Sequence, residues 1–143
     1  MRIRPYRDAD LEAVVALWQS CGLIVSYNDP RQDIEFCRAS GHGEVLVGED
    51  ERGEIVASAM AGHDGHRGWL YYVAVAPRLQ KSGLGRALVR HAEERLKSLG
   101  VRKVQLLVRA ENLAAAGFYE RLGYGRSPVA VLQRWLVPPR EGG

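Results

Sequence analysis

The segment Tyr71–Arg86, YYVAVAPRLQKSGLGR, constrains this chain more than any other stretch. Val73, Ala74 and Val75 form an apolar run that reads as a buried strand, and Pro77, with no N–H to donate, ends it. Gln80-Lys81-Ser82-Gly83-Leu84-Gly85 follows and runs directly into a helical pattern. A strand feeding a glycine-bearing loop that opens a helix places free backbone N–H groups at the positive end of the helix dipole, which suits a phosphate. Gly83 and Gly85 let the backbone come close to a ligand, and Lys81 and Arg86 add positive charge beside it. Taken alone, the pattern also describes, as the lesser reading, a tight strand-to-helix turn in which glycine serves close packing. It is not a GxxxxGK(S/T) loop, and it lacks the third glycine of a dinucleotide fingerprint, where Leu88 stands instead.

The rest of the chain fits one domain over residues 1–143, long enough to bury a core. No apolar run approaches the ~20 residues that cross a bilayer, so no membrane association is expected. The start, MRIRPYRDAD, lacks the apolar stretch of a secretory leader, and the expected compartment is the cytoplasm. Cys21 and Cys37 are not expected to pair there. A net charge of +3 suits a small anionic ligand but shows no basic stripe of the kind nucleic acid requires.

Periodicity predicts the order of elements. Ile3–Tyr6 reads as a short strand and Asp8 as the cap of a helix whose Leu11, Val14, Val15 and Trp18 share one face. Asp29 caps a second helix with Pro30 in its first turn, ending near Ser40. Glu44–Gly48 and Glu54–Ala61 read as a hairpin turned by Asp50-Glu51-Arg52-Gly53, and Trp69–Val75 as the next strand. The helix after the glycine loop carries Leu84, Leu88, Ala92, Leu96 and Leu99 on one face and stops at Gly100. Val104–Val108 is a strand, and Asn112 caps a helix over Leu113–Leu122. Val129–Val137 reads as a last strand, and 138–143 as a frayed tail. Hairpins and a strand–helix–strand crossover in one chain predict an α/β fold (α+β by strict classes). Its central sheet is expected to be mixed and mostly antiparallel, flanked by about four helices.

A second run, Asn112-Leu113-Ala114-Ala115-Ala116-Gly117-Phe118-Tyr119-Glu120-Arg121-Leu122-Gly123-Tyr124, turns the loop from a generic feature into a specific one. With both runs in view, the chain resembles the GNAT superfamily of acetyl-CoA-dependent N-acetyltransferases, as a bacterial single-domain member. The family's phosphate loop, (Arg/Gln)-x-x-Gly-x-(Gly/Ala), is matched by Gln80, Gly83 and Gly85. Its later pattern, an Asn, a small-residue helix and then (Phe/Leu)-Tyr-x-x-Leu-Gly-(Phe/Tyr), is matched by Asn112 and Phe118–Tyr124. The resemblance spans essentially the whole chain and implies acetyl-CoA as co-substrate, with no metal. It implies that Val73 and Val75 pair with the pantetheine arm. The amides of Lys81, Ser82, Gly83, Leu84, Gly85 and Arg86 would hold the pyrophosphate, and Gln80 belongs to the same loop. Asn112 would bond the pantetheine or adenine side, and Tyr119 would point its hydroxyl at the coenzyme A sulfur.

The chemistry implied is direct attack of a primary amine on the thioester, with Tyr119 as general acid toward the departing thiolate. A tyrosine at that position also fits an amphipathic helix simply as a core aromatic. An amine near pKa ~10 must first lose a proton, yet neither Trp69–Tyr72 nor Gln105–Arg109 carries an acid. A water chain past Tyr71 or Tyr72, Asp29, and Glu35 are the candidates for that task. Tyr27, Asp29, Tyr71 and Tyr72 are candidates for the wall of the acceptor pocket, the tyrosines equally plausible as core. His63-Asp64-Gly65-His66 reads as a turn with exposed histidines rather than a metal site. The competing reading is a GNAT-fold module that binds acyl-CoA with little or no turnover. The acceptor, a small molecule or a peptide amine, is not encoded in any motif. Val129, Val131, Leu132, Trp135 and Leu136 serve either a homodimer interface or the core.

Overall fold

The strands of the N-terminal half are apolar on both faces, which requires helices on both sides of the sheet they form. The computed structural model describes residues 1–139. Five strands lie side by side in chain order: β1 (Arg2–Pro5), β2 (Gly43–Glu49), β3 (Ile55–His63), β4 (Gly68–Val75) and β5 (Val104–Gln105). The first four pair antiparallel, while β5 runs parallel to β4, with Gly68 opposite Val104 and Trp69 opposite Gln105. This is the mixed, mostly antiparallel sheet expected, with four α-helices: α1 (Leu11–Ser20), α2 (Pro30–Ala39), α3 (Leu84–Ser98) and α4 (Leu113–Arg121).

On β2, Val45 and Val47 pack with Val14, Leu17 and Trp18 of α1 and Ile34 of α2. Leu46 between them packs the other way, with Leu88, Val89, Ala92 and Leu96 of α3. Each such side chain taken fully out of water contributes about 1.5–3 kcal/mol. α2 starts as expected: the Asp29 side chain accepts from the amide of Arg31 at 2.9 Å, and Pro30 occupies the first turn. α4 does the same through Asn112, whose side chain accepts from the amide of Ala115 at 3.0 Å.

Four expectations need correction. Asp8 does not cap α1: a 3-10 turn over Asp8–Asp10 precedes the helix, and Asp8 pairs with Arg38 at 2.6 Å. The carboxylate that organises this end is Asp10, which accepts from the amide of Arg7 at 2.8 Å and from the Arg4 guanidinium at 2.8 and 3.0 Å. Arg4 also donates to Glu49 at 3.1 Å, so a nearly buried charge network fastens β1, β2 and the start of α1. The Arg4 guanidinium holds the Asp10 carboxyl below its usual range. Leu99 lies beyond the end of α3 and is exposed. β5 is two residues long rather than five, because its ladder with β4 stops at Gln105. Finally, Val129–Val137 forms no strand. High strand propensity creates no strand without a neighbour to bond, and Leu132 and Leu136 here are 93% and 90% exposed. Of the expected tail, residues 140–143 lie outside the described residues. No helix among the described residues is long and apolar enough to cross a membrane.

Candidate active site

The glycine loop takes the shape anticipated for it. After β4 the chain makes a 3-10 turn over Pro77–Leu79, passes through Lys81 and Gly83, both at positive φ (+64° and +88°), and enters α3. Ser82 Oγ donates to the carbonyl of Leu79, closing the turn. Gly83 occupies the cap position, no side chain caps the helix, and the first helical bond is Ala87 N–H to Gly83 O at 3.1 Å. The amides of Leu84, Gly85 and Arg86 are thus left without helical acceptors. The two glycines are needed for different reasons. A Cβ on Gly83 would meet open space, so its conformation is what demands glycine; one on Gly85 would lie 3.2 Å from the Phe118 ring, so packing does. Gln80 turns back, its Nε2 donating to the carbonyl of Val75 at 3.1 Å. Cys21 Sγ donates to that same carbonyl at 3.2 Å.

Phe118 and Tyr119 bring α4 against the same apolar cluster as Val73 and Val75. The Tyr119 ring meets Phe118 and Tyr124 edge-on, with centroids at 4.9 and 5.5 Å. Burial alone pushes its phenol up to about 12. Tyr124, by contrast, donates its hydroxyl to Glu93 at 2.6 Å. Asn112 uses its Oδ1 on the helix cap, and the residue is otherwise exposed.

The other face of β4 holds what the sequence did not disclose. Ser58 pairs with Ala74 and Met60 with Tyr71, so Ala59 alone faces both Tyr72 and Val73: a bulge, with Tyr72 at φ +52°. A non-glycine residue there costs about 1–2 kcal/mol, offset by what the side chain does. Its ring stacks on Trp18 at 3.8 Å and 7°. Its hydroxyl donates to Asp33 Oδ2 at 2.5 Å. Trp18 Nε1 donates to Ser58 Oγ at 2.7 Å, and Ser58 Oγ donates to the carbonyl of Tyr72 at 3.2 Å. Burial and then the Asp33 hydrogen bond push the Tyr72 phenol up. Beyond Trp69, β4 pairs with no strand on its β5 side among the described residues, so the edge from Leu70 to Val75 is open there.

Of the expected acceptor-wall residues, Asp29 and Tyr72 come together, the Asp29 charge acting on the Tyr72 phenol. Tyr71 instead stacks beside Trp69 at 6.2 Å. Tyr27 receives a long contact from Arg109 (3.4 Å) and meets Trp135 edge-on at 5.8 Å, joining the α1–α2 loop to the chain after β5. Glu35 is exposed, and Asp33 is the α2 acid that reaches β4. One signal pointed to Asp33: it lies four residues after Asp29, hence on the same side of α2. The His63–His66 stretch is a hydrogen-bonded turn. Asp64 accepts from the amides of His66 and Arg67 and from Trp69 Nε1, and the Arg67 amide foremost holds its carboxyl down at about 2. No group of three metal-ligating side chains gathers among the described residues.

Comparison with known proteins bears on this geometry. The sequence profile of the acetyltransferase (GNAT) family matches residues 11–124. A curated acetyltransferase of Pectobacterium atrosepticum is 40% identical over 142 residues, covering 99% of each chain. An aminoglycoside 6′-N-acetyltransferase from Acinetobacter baumannii superposes with a TM-score of 0.78 at 18% identity, covering 96% of this chain and 99% of its own. A glucosamine-6-phosphate N-acetyltransferase from Arabidopsis thaliana superposes with a TM-score of 0.71 at 23% identity, covering 94% and 97%. At those identities the two structures speak for the fold alone.

Proposed function

This chain belongs to the GNAT acetyltransferase family, and we propose that it transfers the acetyl group of acetyl-CoA to a primary amine by direct attack in a ternary complex. One observation carries the reading: the bulge at Tyr72–Val73, the open edge of β4 and the glycine turn follow one another along the chain, and Tyr119 packs in the same cluster as Val73 and Val75.

The amides of Leu84, Gly85 and Arg86, with the charges of Lys81 and Arg86, suit the pyrophosphate. An extended pantetheine arm suits the open edge of β4, where its amides would add as a strand does. Val73 supplies that pairing more readily than Val75, whose carbonyl already accepts from Gln80 and Cys21. Asn112, at the start of α4, keeps its side-chain NH2 for the pantetheine or adenine side. When the amine attacks, negative charge develops on the thioester oxygen, and a main-chain N–H near Val73 would receive it. The Tyr119 phenol, at about 12, stays protonated at neutral pH. A thiol is the stronger acid, near ~8.5, so the hydroxyl stabilises the departing thiolate mainly by donating a hydrogen bond.

Calorimetric titration with acetyl-CoA, followed by thiol release across a panel of amines, tests this. Saturable binding with amine-dependent thiol release is expected, and absence of binding overturns the reading. Binding without release would favour an acyl-CoA-sensing module, whose support was the lack of an acid on the strands flanking the loop. Asp33, against β4, weakens that support.

A further inference from the structure

We infer that Asp33 receives the proton lost by the acceptor amine, with the Tyr72 hydroxyl as the bridge between them. The inference rests on the acetyl-transfer reading and deepens it. A primary amine near pKa ~10 arrives mostly as an ammonium ion and cannot attack until one N–H bond is broken. The strands flanking the glycine loop offer no carboxylate, and Asp29, although its charge acts on Tyr72, spends its side chain on the cap of α2. Asp33 reaches β4 at its bulge, next to Val73, where the open edge of the strand runs.

The geometry fits a relay. Tyr72 gives its only hydroxyl hydrogen to Asp33 Oδ2 at 2.5 Å, which leaves its oxygen lone pairs to accept from another donor. An ammonium N–H placed there passes its proton to Tyr72 Oη as Tyr72 passes its own to Asp33. One N–H and one O–H bond break, and two O–H bonds form. The ammonium becomes a neutral amine with a free electron pair, the carboxylate becomes a neutral acid, and Tyr72 ends as it began. Tyr72 is suited to bridging rather than to acting as the base, because burial and the Asp33 hydrogen bond keep its phenol protonated. It is also held still, stacked on Trp18 and anchored through Ser58 to its own carbonyl. The charged groups that act on it, Asp33 and Asp29, are both acidic; α1 presents Trp18 and β3 presents Ser58, neither charged. A cation approaching Tyr72 meets no repulsion from these groups.

The alternative is a tether in which Asp33 merely holds α2 to the sheet. Asp33→Asn separates the two, since its side-chain oxygen still accepts the Tyr72 hydrogen but takes no proton. The probes are spermidine, L-lysine, glucosamine and a short peptide with a free N-terminus, with acetyl-CoA hydrolysis, in which attacking water sheds its proton to the same Tyr72–Asp33 pair, read where none of them accepts. For Asp33→Asn we expect kcat to fall about 100-fold at neutral pH, the loss shrinking below about tenfold near pH ~10, where amines deprotonate unaided. Acetyl-CoA affinity should stay within about twofold of wild type, which also shows that the variant is folded. Tyr72→Phe, tested the same way, should lose activity without losing acetyl-CoA affinity. Wild-type rates and an unchanged pH profile in Asp33→Asn would leave only the tether and overturn the inference. If the wild-type protein released no thiol with any amine or with water, the acetyl-transfer reading itself would fall, and this inference with it.

Discussion

On the face of the sheet covered by α3 and α4, the groups assigned to the cofactor come from two short stretches, residues 73–86 and 112–124. On the face covered by α1 and α2, Trp18, Asp33, Ser58 and Tyr72 come from four separate elements and meet across gaps of 39 and 40 residues. The first face is built mostly from backbone, a turn that leaves amides unspent and an open strand edge, with one side chain beside them, the Tyr119 phenol raised by burial alone. The second is built from side chains that satisfy one another in a chain of hydrogen bonds from Trp18 through Ser58 to the main chain of Tyr72, with Asp33 closing on its hydroxyl. A ligand common to a whole family can be held by backbone, which any sequence supplies. Under the function proposed above, the backbone-built face takes the cofactor and the side-chain-built face takes the acceptor.

The largest effect expected from breaking the contrast lies at the foot of the side-chain-built face. Asp10→Ala leaves the nearly buried Arg4 guanidinium with Glu49 as its one carboxylate and the carbonyl of Pro5, and loss of about 3–5 kcal/mol is expected in urea unfolding. The Asp10 carboxyl is depressed in the folded protein, so its contribution is present above the unfolded carboxylate pKa of ~3.9 and is lost as pH falls through the lower folded value. The gap between wild type and variant should therefore narrow on acidification, and a gap that stayed constant would refute the ionised network. Next in size, Tyr119→Phe on the opposite face should lower kcat by about 100- to 1000-fold with acetyl-CoA binding unchanged. Because the phenol donates to no acceptor among the described residues, stability should hold; a variant that unfolds easily but turns over normally would make Tyr119 a core aromatic and nothing more. The smallest effects sharpen the backbone side. Gly85→Ala should cost about 1–3 kcal/mol by crowding the Phe118 ring. Gly83→Ala, with open space around it, should cost about 1–2 kcal/mol through its φ of +88°. A larger side chain at position 85, such as valine, should worsen the loss, whereas at position 83 asparagine, which tolerates positive φ, should recover part of it. The opposite pattern would reverse the two roles.

Much of the molecule was legible in the sequence, for reasons that differ between elements. The stripe Leu11, Val14, Val15 and Trp18 marked α1 because a helix repeats every 3.6 residues whatever lies against it. Asp29-Pro30 and Asn112 marked helix starts because a cap is satisfied within three residues. The glycine turn was legible for the same reason. Val129–Val137 has the composition of a strand and forms none, because a strand is satisfied only by a neighbour, and composition names no neighbour. Sequence points to Asp8 as the cap and the structure uses Asp10, because the choice is settled by Arg4, which lies on another element. Asp33 is not legible as a site residue because its partner, Tyr72, stands on β4, and its significance comes from a bulge that no local pattern announces.

The sequence by itself determined the family, the layered α/β fold and the glycine turn into α3, since each is written in spacings of a few residues where the backbone's own hydrogen bonds decide the outcome. Only the tertiary structure decided which acid faces β4, which glycine is held by space and which by its torsion, and that the last apolar stretch is left unpaired. Those outcomes depend on distances between elements remote in the chain, and such distances exist only once both faces of the sheet have packed.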